Sequence, residues 1–199
     1  FVLGIIGIFV YMGIEVGTPT YVNMYLVNTP ELGINAATAG LIVAVYWALM
    51  MVGRFVGASI GSKVSSRAMI TTVSSATLVL VLFGMFAPTD VTVSVPGIDW
   101  ANLSVIWAQV PVGIFAFLLV GLCSSVMWGG IFNMAVEGLG KYTAVASGIF
   151  MTMVFGCAVM LAIQAQVAEM TDYMTSYWVV VFCAVYLLFY ALVGSKVKK

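Results

Sequence analysis

The stretch "VYMGIEVGTPTYVNMY", Val10 to Tyr25, sets one carboxylate, Glu15, four residues ahead of Pro19 in a run that is otherwise apolar or neutral. The run begins at residue 1 and reaches about residue 27, longer than the roughly twenty apolar residues that cross the hydrocarbon of a bilayer. Proline has no amide hydrogen and its ring presses on the preceding turn, so a kink is expected between Glu15 and Pro19. The carbonyls that it frees become available to a neighbour, water or a ligand.

The rest of the chain has the same character. Apolar residues make up 63% and charged residues 7%, and mean hydropathy is +1.17, against roughly 25% charged residues in an ordinary soluble domain. Seven basic and seven acidic residues cancel, which leaves no general field to attract nucleic acid. Cys123, Cys157 and Cys183 have neither disulfide-framework nor metal-ligand spacing, and histidine is absent, so these thiols read as core filling and no metal site is expected. The first residue falls inside an apolar run with no basic leader or small-residue cleavage signal. It reads as a chain entered partway along rather than as a signal peptide.

Six membrane spans are expected, at about 1–27, 38–61, 68–87, 105–136, 143–168 and 174–195, all helical because an open sheet would leave backbone groups unpaired in lipid. Lys63 and Arg67, Lys141, and Lys196, Lys198 and Lys199 fall at one end of this arrangement, whereas the opposite connections carry Glu31, Asp90, Asp99, Glu169 and Asp172 and no basic residue. The positive-inside rule then places the even-numbered loops and both chain ends in the cytoplasm. Trp100 and Trp107 beside the fourth span, and Tyr173, Tyr177 and Trp178 beside the sixth, read as interface anchors. The connection "PTDVTVSVPGIDWANLS" (Pro88 to Ser104) has alternating valines suited to a strand pair, but its prolines and Gly97 favour a simple ordered loop.

Polar residues at membrane depth carry the functional argument. Glu15 lies about 16 Å from the outer end of its helix at 1.5 Å per residue. A lone carboxylate there must face protein or a wet cavity. Proton carriage, hydrogen bonding to a polyhydroxyl ligand and a structural link to another helix all remain open. Arg54, about a turn and a half from the inner end of the second span, reads as a snorkelling side chain or loop anchor; the alternative is a pair with a carboxylate, for which Glu137 is a partner within this chain. Tyr46 and Trp47, Trp128 and Asn133, and Gln164 with Gln166 stand at mid-depth, a mixture that suits a neutral polar solute. Read singly, the aromatics are packing and the amides are helix-to-helix hydrogen bonds. Gly53, Gly57 and Gly61 form a smooth stripe for close helix packing.

Other classes fit less well. Without histidine there is neither a serine-histidine site nor a zinc-protease motif, and the aspartates all fall in outer connections, so an enzyme is not expected. No segment resembles an ion-selectivity filter.

"YMGIEVGTPTYVNMYL" (Tyr11 to Leu26), "YWALMMVGRFVGASIGSKVSSRAM" (Tyr46 to Met69) and "IFNMAVEGLGKYTAVASGIFMTMVFG" (Ile131 to Gly156) resemble, in order, the seventh helix, the eighth helix with its following loop, and the tenth-to-eleventh helix region of the major facilitator superfamily, in its fucose-proton symporter and glucose/galactose transporter group. The resemblance implies an all-α membrane protein whose six helices, residues 1–199, form the C-terminal bundle of a twelve-helix fold. It implies secondary transport of a sugar or related polyhydroxyl solute by alternating access with an N-terminal six-helix half. Glu15 takes the place of the cavity-facing acid or amide of the seventh helix, and Arg54 that of the arginine closing the eighth. Tyr11, Asn23, Trp47, Trp128 and Asn133 complete the candidates for the substrate cavity, with Arg54 and Glu137 as gate or loop anchors. No cofactor is implied beyond a coupling proton or sodium ion, and a bacterial inner membrane is the expected location. The rival reading is a non-transporting membrane subunit or sensor that reuses the fold. Where the group usually has proline-threonine before "IF" this chain has Gly129 and Gly130, and after Gly156 the usual glycine run and proline are missing. The bends that proline supplies to those helices therefore have no proline here.

Overall fold

A computed structural model of the chain describes residues 1–99, 102 and 104–195. Trp100, Lys196, Lys198 and Lys199, expected as an interface anchor and as the last basic group, lie outside the described residues. Among the described residues, six helices are long and apolar enough to cross a membrane: α1 (Val2–Asn28), α2 (Ala36–Ile60), α3 (Ser66–Phe86), α4 (Val112–Val136), α5 (Gly140–Met170) and α6 (Thr175–Gly194). The chain is an integral, multi-pass membrane protein. Asn35 caps α2 by accepting from the Thr38 amide at 2.8 Å, and Ser65 caps α3 by accepting from the Ala68 amide at 3.3 Å, each satisfying one of the amides left open at a helix start.

Helix α1 packs against α2, α4, α5 and α6, while α4 lies against α1, α2 and α3. These two helices are therefore the most buried of the six. The two helices supply Ile8, Tyr11, Ile14, Phe117, Met127 and Ile131 to the core, all at most 1% exposed. Phe117 stacks on Tyr177 with ring centroids 4.0 Å apart and planes 19° apart. Tyr177 is thus core, not the interface anchor expected from its place at the head of α6. Trp178 next to it is half exposed and meets Phe86 edge-on.

The glycine stripe of α2 is used in two of its three positions. A Cβ on Gly53 would come within 2.8 Å of the Leu122 carbonyl oxygen, and one on Gly57 would overlap Val126, so both glycines let α2 approach α4. Gly61, at the helix end, meets no other helix.

The long connection departs from the expected simple loop. Strands β1 (Thr92–Asp99) and β2 (Ser104–Pro111) pair antiparallel from Thr92 opposite Pro111 to Asp99 opposite Ser104. Residues 105–111, expected as the first turns of the fourth span, belong to β2, and α4 starts at Val112. The alternation of valine with polar residues outweighs the prolines because Val95, Gly97, Ala108 and Val110 share the face turned to the protein, while Ser94, Gln109 and Trp107 share the other. The hairpin is held to α2 by Asn35, whose amide donates to the Ile98 carbonyl at 3.2 Å, and by Thr38, whose hydroxyl accepts from the Ile98 amide at 3.3 Å.

Three helices are irregular in the interior. Helix α1 opens into a π turn over Gly13–Gly17, α4 is interrupted at Ser125 and Val126, and α5 tightens into a 3-10 turn over Met153–Phe155. The last two occur without proline. At the first of them Ser124 and Ser125 turn their hydroxyls back onto the carbonyls of Gly121 and Leu122, at 3.1 and 2.6 Å, a bonding pattern that bends helices. At the second Gly156 lies directly against the backbone of Phe9.

Candidate functional site

In a regular helix the carbonyl of residue 15 would accept from the amide of residue 19, but residue 19 is proline and has none. The Tyr46 hydroxyl, from α2, supplies that hydrogen to the Glu15 carbonyl at 3.1 Å. Other hydroxyls bond around the same turn: Thr20 donates to the Val16 carbonyl at 2.7 Å and Tyr177 to the Thr18 carbonyl at 2.8 Å. Tyr46 Oη also lies 3.2 Å from the Ser124 hydroxyl and accepts from it when that hydroxyl turns away from the Gly121 carbonyl, and Tyr11 donates to the Ser124 carbonyl at 3.2 Å, beside the interruption of α4. Tyr11 and Tyr46, at 1% and 0% exposure, therefore hold the irregular turns of α1 and α4 together from behind.

In front of them lies a cleft of about 400 Å³ bounded by Met12, Glu15, Arg54, Ser125, Trp128, Gly129 and Val154. The π turn and the α4 interruption form its facing walls, so both irregularities serve to shape it. A π turn widens the backbone and redirects its side chains. The Glu15 carboxylate, 13% exposed, meets the Arg54 guanidinium, 61% exposed, at 3.4 Å. Arg54 also donates to the Met50 sulfur at 3.4 Å. The carboxylate that Arg54 meets is Glu15 and not the expected Glu137, because α2 packs on α1 and brings the guanidinium to that side. A single contact with so exposed a partner is worth about 0–1 kcal/mol, and most of the donors of Arg54 stay free.

Trp128 stands edge-on to Tyr11, with ring centroids 6.2 Å apart, and presents its indole to the cleft. Gly129 has nothing within 4 Å of where a Cβ would lie and keeps that side open, whereas Gly130 faces inward against Ile70. The glycine pair thus makes space on one side and close packing on the other.

The remaining candidates divide. Asn133 and Glu137 do not reach Glu15; they border a separate cleft of about 500 Å³ with Ser65, Ser66 and Arg67, at the end of the bundle that carries Lys63 and Lys141. Trp47 is half exposed and meets Tyr46 edge-on at 5.3 Å; seven positions before Arg54, it shares that helix face two turns away. Asn23 is half-buried on α1 and borders neither cleft. Gln164 is buried, donating to the Ser176 hydroxyl at 3.4 Å, while Gln166 lies on another face of α5. Met12, Ser125 and Val154 were not singled out by sequence, and for Ser125 the "SS" pair at 124–125 in an apolar helix was the available signal. Among the described residues, no group of three His, Cys, Asp or Glu side chains could hold a metal ion.

The fold decides the comparison. The chain superposes on a crystal structure of the major facilitator superfamily transporter FucP in the outward conformation with a TM-score of 0.81, 98% of this chain covering 42% of that one at 18% identity. The chain has the fold of a major facilitator superfamily C-terminal half. A second structure, of the E. coli fucose:proton symporter FucP, gives the same coverage and TM-score. In sequence, the chain is 29% identical over 195 residues to a glucose/galactose transporter of Brucella abortus biovar 1 (strain 9-941), covering 98% of this chain and 42% of that protein. A glucose/galactose transporter of Brucella abortus (strain 2308) matches equally. The chain thus spans less than half the length of these relatives. No protein-family model matches it.

Proposed function

We propose that this chain is the C-terminal six-helix half of a secondary transporter for a sugar or related polyhydroxyl solute, working with an N-terminal six-helix half by alternating access. Its setting is a bacterial inner membrane with both chain ends on the cytoplasmic side, as the placement of Lys63, Arg67 and Lys141 supports. The observation that carries the reading is the Glu15–Arg54 pair, 3.4 Å apart, in a cleft that also presents the Trp128 indole. Sugar hydroxyls both donate and accept. Glu15 takes hydrogen bonds from them, Arg54 gives them, and the indole covers the C–H face of the ring. Because the pair is held by one long contact, a solute can insert between its members at little cost. The names of the Brucella relatives support a hexose as the solute. A proton or sodium ion supplies the coupling.

The test is uptake by the full-length protein in proteoliposomes, with several sugars under imposed proton and sodium gradients. Glu15→Gln is expected to lose more than half of the uptake while remaining folded, and vesicles holding only residues 1–199 should take up none. Unchanged uptake in Glu15→Gln would remove Glu15 from the site; no uptake of any sugar under either gradient would overturn the transport reading.

A further inference from the structure

A second cleft, of about 510 Å³, opens between α1 and α5 at the end of the bundle that carries the acidic loops. Its volume falls within the ordinary range of small-molecule sites, roughly 300–1,000 Å³. Two tyrosines line it, Tyr21 from α1 and Tyr173 from the α5–α6 connection, with ring centroids 6.5 Å apart and planes 54° apart, so that they form a corner. Asn28 ties the corner together by donating to the Tyr173 hydroxyl oxygen at 2.9 Å.

The hydrogen-bonding capacity of this cleft is lopsided. Tyr21 spends its hydrogen on the Leu161 carbonyl at 3.3 Å and Thr171 on the Val167 carbonyl at 2.6 Å. The Tyr173 hydroxyl, acceptor to Asn28, keeps its own hydrogen. On the accepting side, Asp172 receives bonds from the Thr175 hydroxyl and amide, with the Met174 amide also turned to it, out of about four that a carboxylate can take. Glu169 adds a second, exposed carboxylate, and among the described residues no lysine or arginine borders the cleft. The walls therefore offer acceptors and an aromatic corner and ask for a ligand that brings donors.

We propose that this cleft is a second solute subsite, at which a donor-rich monosaccharide makes first contact before it reaches the Glu15 cleft. This rests on the transport reading above. Neutral sugars satisfy the carboxylates through their hydroxyls, an amino sugar satisfies them better through its ammonium group, and a sugar acid is rejected because two carboxylates face it without a cation.

The test uses the detergent-solubilised full-length protein with Cys157 replaced by serine, Cys123 and Cys183 being buried, and Met24, which borders the cleft and is 41% exposed, replaced by cysteine. Maleimide labelling at that position is followed with glucose, glucosamine or glucuronate as the protecting probe. Glucosamine should protect at the lowest concentration, glucose next, and glucuronate not at all. Protection should persist with Glu15→Gln, while Glu169→Gln, an isosteric change at an exposed position, and Asp172→Asn should each raise the half-protecting concentration about tenfold, as expected for loss of a charge-assisted hydrogen bond. Equal protection by glucuronate, or protection abolished by Glu15→Gln and untouched by Glu169→Gln, would overturn the proposal. Labelling needs no transport, so an uptake failure with protection intact strikes the transport reading and leaves this subsite standing.

Discussion

The Tyr46 hydroxyl donates to the backbone carbonyl of Glu15 at 3.1 Å, the carbonyl that Pro19 leaves without its usual amide. A buried carbonyl stripped of its donor costs about 1–3 kcal/mol, whereas hydrogen bonds between membrane helices average about 0.6 kcal/mol. Tyr46→Phe should therefore lower stability by roughly 1–2 kcal/mol. In a Pro19→Ala background, where an amide returns, the same change should cost less by at least about 0.5 kcal/mol. A double-mutant cycle of unfolding in detergent measures this. Equal costs in both backgrounds would mean that Tyr46 does not substitute for the missing amide.

Arg54 separates stability from function. Since its guanidinium is 61% exposed, Arg54→Gln should change stability by no more than about 1 kcal/mol. If the pair contacts solute, uptake should fall at least fivefold in the same variant, and Arg54→Lys should recover only part of it, because an ammonium lacks the planar donor fork. Unfolding midpoints and initial uptake rates, taken on the same preparations, give both quantities.

Two glycines of α2 should respond oppositely to alanine. Gly53 lies against Leu122 and Ser125, and Gly53→Ala should destabilise by about 1–3 kcal/mol through overpacking. At Gly40, where a Cβ meets nothing within 4 Å, alanine should be neutral or stabilise by up to about 1 kcal/mol through helix propensity. Thermal unfolding of the two variants side by side distinguishes close approach from a general intolerance of α2 to substitution.

Asp172, between α5 and α6, sets a pH dependence. Hydrogen bonds from the Thr175 hydroxyl and amide hold its carboxyl below the usual carboxylate range. A group depressed in the folded state contributes stability that is complete above its unfolded pKa, about 3.9, and is lost as pH falls through its lower folded value. Thr175→Val should remove part of that contribution at neutral pH and flatten the acid side of the stability profile. An unchanged profile between about pH 2 and pH 5 would show that this turn does not report on Asp172.

Much of the architecture was readable from residues alone, for reasons that differ from element to element. Runs of apolar residues long enough to cross a bilayer reveal α1 to α6 without any knowledge of their neighbours, and Pro19 announces the irregularity at Gly13–Gly17 because its missing amide is a covalent fact. The hairpin was read less well. Its valine alternation and its prolines point in opposite directions, and the deciding contact, with Asn35 and Thr38, comes from a different segment. The interruption of α4 had only the Ser124–Ser125 pair to mark it, since serine bends a helix only when its hydroxyl turns back onto the backbone.

The candidate site shows the same division. Glu15 and Trp128 were identifiable because a carboxylate or an indole at membrane depth needs a reason wherever it occurs. Asn133, an amide on the same helix as Trp128, borders a different cleft, and Tyr177, placed like an interface anchor, turns out to stack on Phe117. Composition and hydropathy by themselves determined the membrane setting and the six helices, and covalent chemistry located the break in α1. Tertiary structure alone decided that Arg54 meets Glu15 and not Glu137, and that Tyr46, not solvent, answers Pro19. Those contacts join residues 39 and 31 positions apart, and only the packing of α2 on α1 sets which side chains come within reach.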